Sequence, residues 1–117
     1  MIFYDIKTKG VKKEFGELEK LMQKLGFIRW SWDYERVTYD YKFTANGVDY
    51  YLRLSGDVVN DKRLEHPKAL LELGTPVFSR HFFPHGLDDT AEVPEELKDE
   101  VQQVLSDLEK TLQEEKK

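Results

Sequence analysis

Val37-Thr38-Tyr39-Asp40-Tyr41-Lys42-Phe43-Thr44-Ala45-Asn46-Gly47-Val48-Asp49-Tyr50-Tyr51-Leu52-Arg53-Leu54 is the stretch that decides the fold. Val37, Tyr39, Tyr41 and Phe43 alternate with Arg36, Thr38, Asp40 and Lys42, and Val48, Tyr50, Leu52 and Leu54 alternate with Asp49, Tyr51 and Arg53. A period of two marks strands that bury one face. Between the two runs stands Asn46-Gly47, the pair best suited to the two positive φ angles of a type I′ turn, so Ala45 is expected to face Val48. That register sets Phe43 against Tyr50, Tyr41 against Leu52 and Tyr39 against Leu54 on one face. On the other it sets Asp40 against Arg53 and Thr38 against Ser55. A single register joins apolar to apolar and acid to base, and a slip of one residue undoes both.

Upstream, Phe27 to Trp32 is expected to form the preceding strand, with Ile28, Trp30 and Trp32 on one face. Downstream, Gly56 to Pro67 reads as a polar loop, and Ala69 to Leu73 as a strand that ends before Gly74 and Pro76. In residues 11–25 the period changes. Val11, Phe15, Leu18, Met22 and Leu25 share one helical face, with Lys20 and Lys24 near the negative end and Gly26 just beyond. Ile2 to Ile6 has the length of a short edge strand. Pro94, Glu95 and Glu96 open a long helix whose apolar positions are Leu97, Val101, Val104, Leu105, Leu108 and Leu112, closed by Lys116 and Lys117. One apolar sheet face and two apolar helix stripes must cover each other. The expected fold is therefore an α+β two-layer sandwich: a mostly antiparallel sheet of four or five strands, with the N-terminal and C-terminal helices on one face.

The 117 residues contain no repeat and no linker-like stretch, and are expected to form one domain over residues 1–117. A hydrophobic share of 39% and an aromatic share of 13% can build a core. No run approaches the roughly 18 apolar residues of a membrane span, and Met1-Ile2-Phe3-Tyr4-Asp5 lacks the basic and apolar regions of a secretory signal. The expected address is the cytoplasm, with no membrane partner. The absence of cysteine removes disulfides, thiolate nucleophiles, zinc fingers and iron–sulfur ligation. Lys and Arg number 18 against 23 Asp and Glu, a net charge of −5, and the basic residues are interleaved with acids. Nucleic acid is not an expected partner, because a phosphate backbone needs a basic stripe.

Four groups of residues invite a chemical reading. In Arg80-His81-Phe82-Phe83-Pro84-His85-Gly86, with Asp88 beyond, His81 and His85 have ligand types for Zn or Ni. Pro84 drives Phe83 out of the helical region that would bring the two imidazoles together, so a structured turn is the preferred reading, and neither metal nor cofactor is expected. Asp40 and Arg53, with Thr38, Lys42, Asp49 and Tyr51, would share the polar sheet face; they suit a ligand or acid–base work, and equally a plain cross-strand ion pair. Trp30, Trp32, Tyr34, Tyr39, Tyr41, Tyr50 and Tyr51 are expected to pack the core rather than stack on a ligand. The segment Asp88 to Glu115 carries 11 acids against Lys98 and Lys110. It suits docking on another subunit, and more plainly a solvated outer face.

No phosphate-binding glycine loop, nucleophile elbow, HExxH motif or thiol selects a reaction. The reading that follows is a small non-enzymatic binding or protein-interaction domain, its partner another protein or a second copy forming a homodimer. His81, His85, Asp40 and Arg53 are the candidate contact residues. The alternative is a small-molecule or metal-binding protein, with or without hydrolytic activity, that uses the His81/His85 loop.

Trp32-Asp33-Tyr34-Glu35-Arg36-Val37-Thr38-Tyr39-Asp40, followed by Tyr50-Tyr51-Leu52-Arg53 and Phe83-Pro84-His85-Gly86, resembles the YugN-like family of small bacterial proteins. The resemblance spans most of the chain. It implies a cytoplasmic bacterial protein, and it carries no catalytic or binding residue over to this sequence.

Overall fold

The computed structural model describes residues 1–81, 86–88 and 90–113, and every side chain in those ranges except those of Ser31 and Trp32. Among them are seven strands and two α-helices: β1 (Lys12–Glu14), α1 (Phe15–Leu25), β2 (Ile28–Trp32), β3 (Arg36–Ala45), β4 (Val48–Val58), β5 (Leu70–Leu73), β6 (Val77–His81), β7 (Leu87–Asp88) and α2 (Lys98–Gln113). The strands form one antiparallel sheet in the order β1-β5-β4-β3-β2, with β6 also on β4 and β7 on β6. The α+β sandwich is as expected, and its sheet is larger than four or five strands.

The β3–β4 hairpin has the expected register, with Ala45 opposite Val48, Asp40 opposite Arg53 and Thr38 opposite Ser55. Asn46 and Gly47 take φ of 53° and 76°, as the tight turn requires. One face of this ladder carries Val37, Tyr39, Phe43, Leu52 and Leu54, all buried. They share one core with Leu18 and Met22 of α1 and with Leu97, Val101, Leu105, Leu108 and Leu112 in and before α2. Both helices thus cover the same face.

β4 is the axis of the sheet because it is long enough to take two partners along one edge. Gly56 to Val58 pair with β5, and Tyr50 to Arg53 with β6. Leu54 and Ser55 separate those runs on β4, whereas Gly74, Thr75 and Pro76 separate them on the opposing chain. The extra residue is a bulge-like break, held where the Gly74 amide donates to the Ser55 carbonyl at 2.9 Å. Proline at this position accounts for the break, because it has no N–H for the ladder.

Several expectations are corrected. The first helix begins at Phe15 rather than Val11, because Lys12–Glu14 pairs with β5. The helix start is then capped from outside, with the Phe15 and Gly16 amides donating to the carbonyls of Ala69 and Pro67 at 2.8 Å each. Ile2 to Ile6 makes a single bridge, Ile2 to Val77, instead of a strand. β4 runs on to Val58, three residues into the stretch read as loop, and Leu64 in that loop is fully buried. Pro94 sits one position before the 3-10 turn Glu95–Leu97 that leads into α2, with extended backbone, instead of inside the helix. Lys116 and Lys117 lie outside the described residues.

Candidate functional site

With both helices on one face, the opposite face of the sheet is bare of helices among the described residues, and it carries the polar partners of the hairpin. Asp40 is 7% exposed there. Arg53 lies directly across the ladder and donates from Nε to Oδ1 and from Nη2 to Oδ2, both at 2.8 Å. This is the fork-to-fork geometry that a planar guanidinium makes with a carboxylate. The next pair along the face is Thr38 and Ser55, their hydroxyls 3.1 Å apart. Beyond it Arg36 reaches Asp57 at 3.3 Å, with both side chains more than half exposed, and at the other end Lys42 lies 3.6 Å from Asp49.

The edge strand β2 reaches this face through a bulge. Arg29 is opposite Tyr39, whereas Ser31 is opposite Thr38, which leaves Trp30 as the extra residue. The bulge interrupts the regular alternation of Ile28, Trp30 and Trp32 that the sequence suggested, and the side chain of Trp32 lies outside the described ones. Trp30 is 67% exposed and Ile28 71%. The expectation that the aromatic residues pack the core holds for Tyr39, and Tyr41 and Tyr50 pack partly buried against it. It fails for Trp30 and for Tyr34, which is 51% exposed.

A cavity of about 190 Å3 opens on this face, lined by Trp30, Asp40, Tyr51, Arg53, His81, Gly86 and Leu87. Three of the four residues singled out from sequence, Asp40, Arg53 and His81, meet in it. The fourth, His85, lies outside the described residues, as do Phe82, Phe83 and Pro84. His81 ends β6 rather than sitting in a turn, and its ring meets Tyr51 edge to face at 6.5 Å. A second cavity of about 240 Å3 adjoins on the same face, lined by Arg36, Arg53, Ser55, Asp57, Gly74, Thr75, Val77 and Ser79. Arg53 is a wall of both.

Among the described residues no group of three or more His, Asp or Glu side chains is placed to hold a metal ion. His66 stands apart from His81, in the loop before β5, where its Nδ1 accepts the Lys68 amide at 3.0 Å. Asp88 is engaged locally: Thr90 donates to it from its hydroxyl and amide, which holds the carboxyl below its usual range. On the acidic helix, Glu96, Glu100 and Asp107 are exposed.

Sequence reasoning missed Trp30, Ser79, Thr75 and Leu87 as parts of the site. Tyr51 had a usable signal, since it shares parity with Arg53 in the hairpin. Trp30 had none, because its placement depends on a bulge that pairing alone reveals.

The geometry defines a class: a two-layer α+β protein whose second sheet face, bare of helices among the described residues, bears a small aromatic and polar cleft. Within that class the chain belongs to the YugN-like family, whose model matches residues 5–114. It is 34% identical over 109 residues to a protein of Bacillus subtilis (strain 168) described as "Uncharacterized protein YlbA", covering 91% of this chain and 90% of that one. It is similar also to a crystal structure of "uncharacterized conserved protein YugN from Geobacillus kaustophilus HTA426", with a TM-score of 0.80 and 34% identity over 96% of this chain and 94% of that one.

Proposed function

We propose that this protein is a small non-enzymatic binding domain of the bacterial cytoplasm whose contact surface is the bare sheet face around Asp40, Arg53 and His81. The observation that carries the reading is the exposure of Trp30 in a concave site beside a buried Asp40 that Arg53 holds through two hydrogen bonds. A rigid charged pair flanked by an exposed indole suits recognition, since aromatic and arginine side chains dominate binding surfaces.

A second copy of the chain is the protein partner that β2 favours. β2 ends the sheet on one side with the exposed apolar residues Ile28 and Trp30, whereas the opposite edge, Lys12-Lys13-Glu14, is short and charged in the way edges are protected.

Native mass spectrometry of the untagged chain tests the reading. A retained small molecule or a second subunit that disappears on Trp30→Ala, and persists in an Asp107→Lys variant, is the expected result. Loss of the added mass in Asp107→Lys alone would move the surface to α2 and overturn it.

A further inference from the structure

We propose that the two cavities flanking Arg53 are the halves of one ligand site, and that its ligand is a small molecule joining a planar aromatic ring to an anionic carboxylate or phosphate group. The inference rests on the bare face being the binding surface and names what that surface takes.

The first half is aromatic. Trp30, Tyr51 and His81 line the 190 Å3 cavity together with Leu87 and Gly86. Tyr51 and His81 are set at 85° to each other, an edge-to-face arrangement that keeps the rings in place. Trp30 stands two-thirds exposed at the margin, positioned by the β2 bulge. A planar ring is the ligand part that such walls recognise, by stacking and edge contacts that a saturated ring cannot reproduce.

The second half is a donor site. The 240 Å3 cavity is lined by the cationic residues Arg36 and Arg53 and by the hydroxyl-bearing residues Ser55, Thr75 and Ser79. Planar guanidinium groups backed by hydroxyls are the usual partners of carboxylate and phosphate oxygens. The acid on this wall, Asp57, is the partner of Arg36 at 3.3 Å, and both side chains are more than half exposed. So solvated a pair contributes little, and an anionic ligand replaces Asp57 on Arg36 without leaving a buried charge behind.

Arg53 joins the halves because it lines both. Asp40 acts through it as a positioning residue: the two 2.8 Å bonds lock the guanidinium plane across the ladder and so fix the distance from the ring subsite to the anion subsite. The two volumes together fall within the roughly 300–1,000 Å3 range of small-molecule pockets. Either alone is small for one. A polyanion is disfavoured by the net charge of −5, whereas one anionic group is not.

The test is a titration of the full chain, followed by 15N-resolved NMR, with five probes. Phenyl phosphate and indole-3-carboxylate contain both ligand parts, indole and inorganic phosphate one each, and cyclohexanecarboxylate carries the charge on a saturated ring. The expected result is saturable binding of at least one aromatic anion, with shifts at Trp30, Tyr51, Arg53 and Ser79, and binding of the single-part probes and the saturated acid weaker by about tenfold or more. Trp30→Ala and Arg36→Ala, both at exposed positions, each weaken the aromatic anion by about tenfold. Trp30→Ala leaves inorganic phosphate binding unchanged, and Arg36→Ala leaves indole binding unchanged.

Equal binding of aromatic and saturated acids would overturn the ring subsite, and equal binding of indole and indole-3-carboxylate the anion subsite. If a neutral ring or a second chain binds the bare face while the aromatic anions do not, the ligand class fails and the binding surface stands. If no probe or partner shifts the resonances of this face, both fail.

Discussion

Arg53 meets Asp40 across the β3–β4 ladder through two parallel hydrogen bonds of 2.8 Å, with the carboxylate side chain 8% exposed and the guanidinium side chain 29% exposed. The two partners are therefore unequally buried, and their removal should have unequal effects. Arg53→Met strands a buried carboxylate and is expected to destabilise the fold by about 3–5 kcal/mol. Asp40→Ala leaves a guanidinium that reaches water, and should cost less, about 1–3 kcal/mol. Urea denaturation of both variants and of the double variant checks this, with the double variant less destabilised than the two losses added together.

Tyr39 predicts an alkaline limit. Its hydroxyl is pushed far above the ordinary tyrosine range by burial first, and then by Glu19, whose Oε1 accepts its hydrogen bond at 2.9 Å. Above a pH of about 10 the unfolded chain releases this proton and the folded chain keeps it. The contribution is therefore complete below that pH and is lost as the pH climbs. Tyr39→Phe should lower stability by about 1 kcal/mol near neutrality through the lost hydrogen bond. It should also flatten the alkaline decline that sets in above about pH 10 in denaturant titrations, whereas an unchanged slope would place the decline elsewhere.

Two glycines at positive φ separate conformational strain from crowding. At Gly47, with φ of 76°, an added Cβ meets nothing within 4 Å, so Gly47→Ala should cost only the left-handed penalty of about 1–2 kcal/mol. At Gly26, with φ of 95°, the same atom would stand 3.0 Å from Cε2 of Tyr41. Gly26→Ala should be the more destabilising in thermal unfolding, because Tyr41 must move from its contact with Phe27, whose ring centroid is 5.4 Å away.

Trp30 and Phe78 predict opposite outcomes for two large aromatic residues. Phe78 is fully buried between Phe43 and Tyr50, and Phe78→Ala should cost about 3–5 kcal/mol. Trp30 is largely exposed, so Trp30→Ala should shift stability by no more than about 0.5 kcal/mol. A matching loss in both variants, measured by calorimetry, would mean that the indole is a core element and not a surface one.

The residues themselves determined the β3–β4 hairpin and the inward stripes of both helices. Alternation, an Asn-Gly turn and helical periodicity are local signals, each complete within about twenty residues. The same locality placed Asp40 opposite Arg53. Only the tertiary structure decided that β5 and β6 share an edge of β4, that Lys12–Glu14 leaves the helical pattern to pair with β5, and that Trp30 is extruded by a bulge. Each depends on which backbone groups are left unpaired by a distant strand, a demand that no short window of sequence contains. The meeting of His81 with Asp40 and Arg53 belongs to this second kind. It follows from β6 docking beside the first half of β4, some thirty residues earlier in the chain, and from the helices having already taken the other face of the sheet.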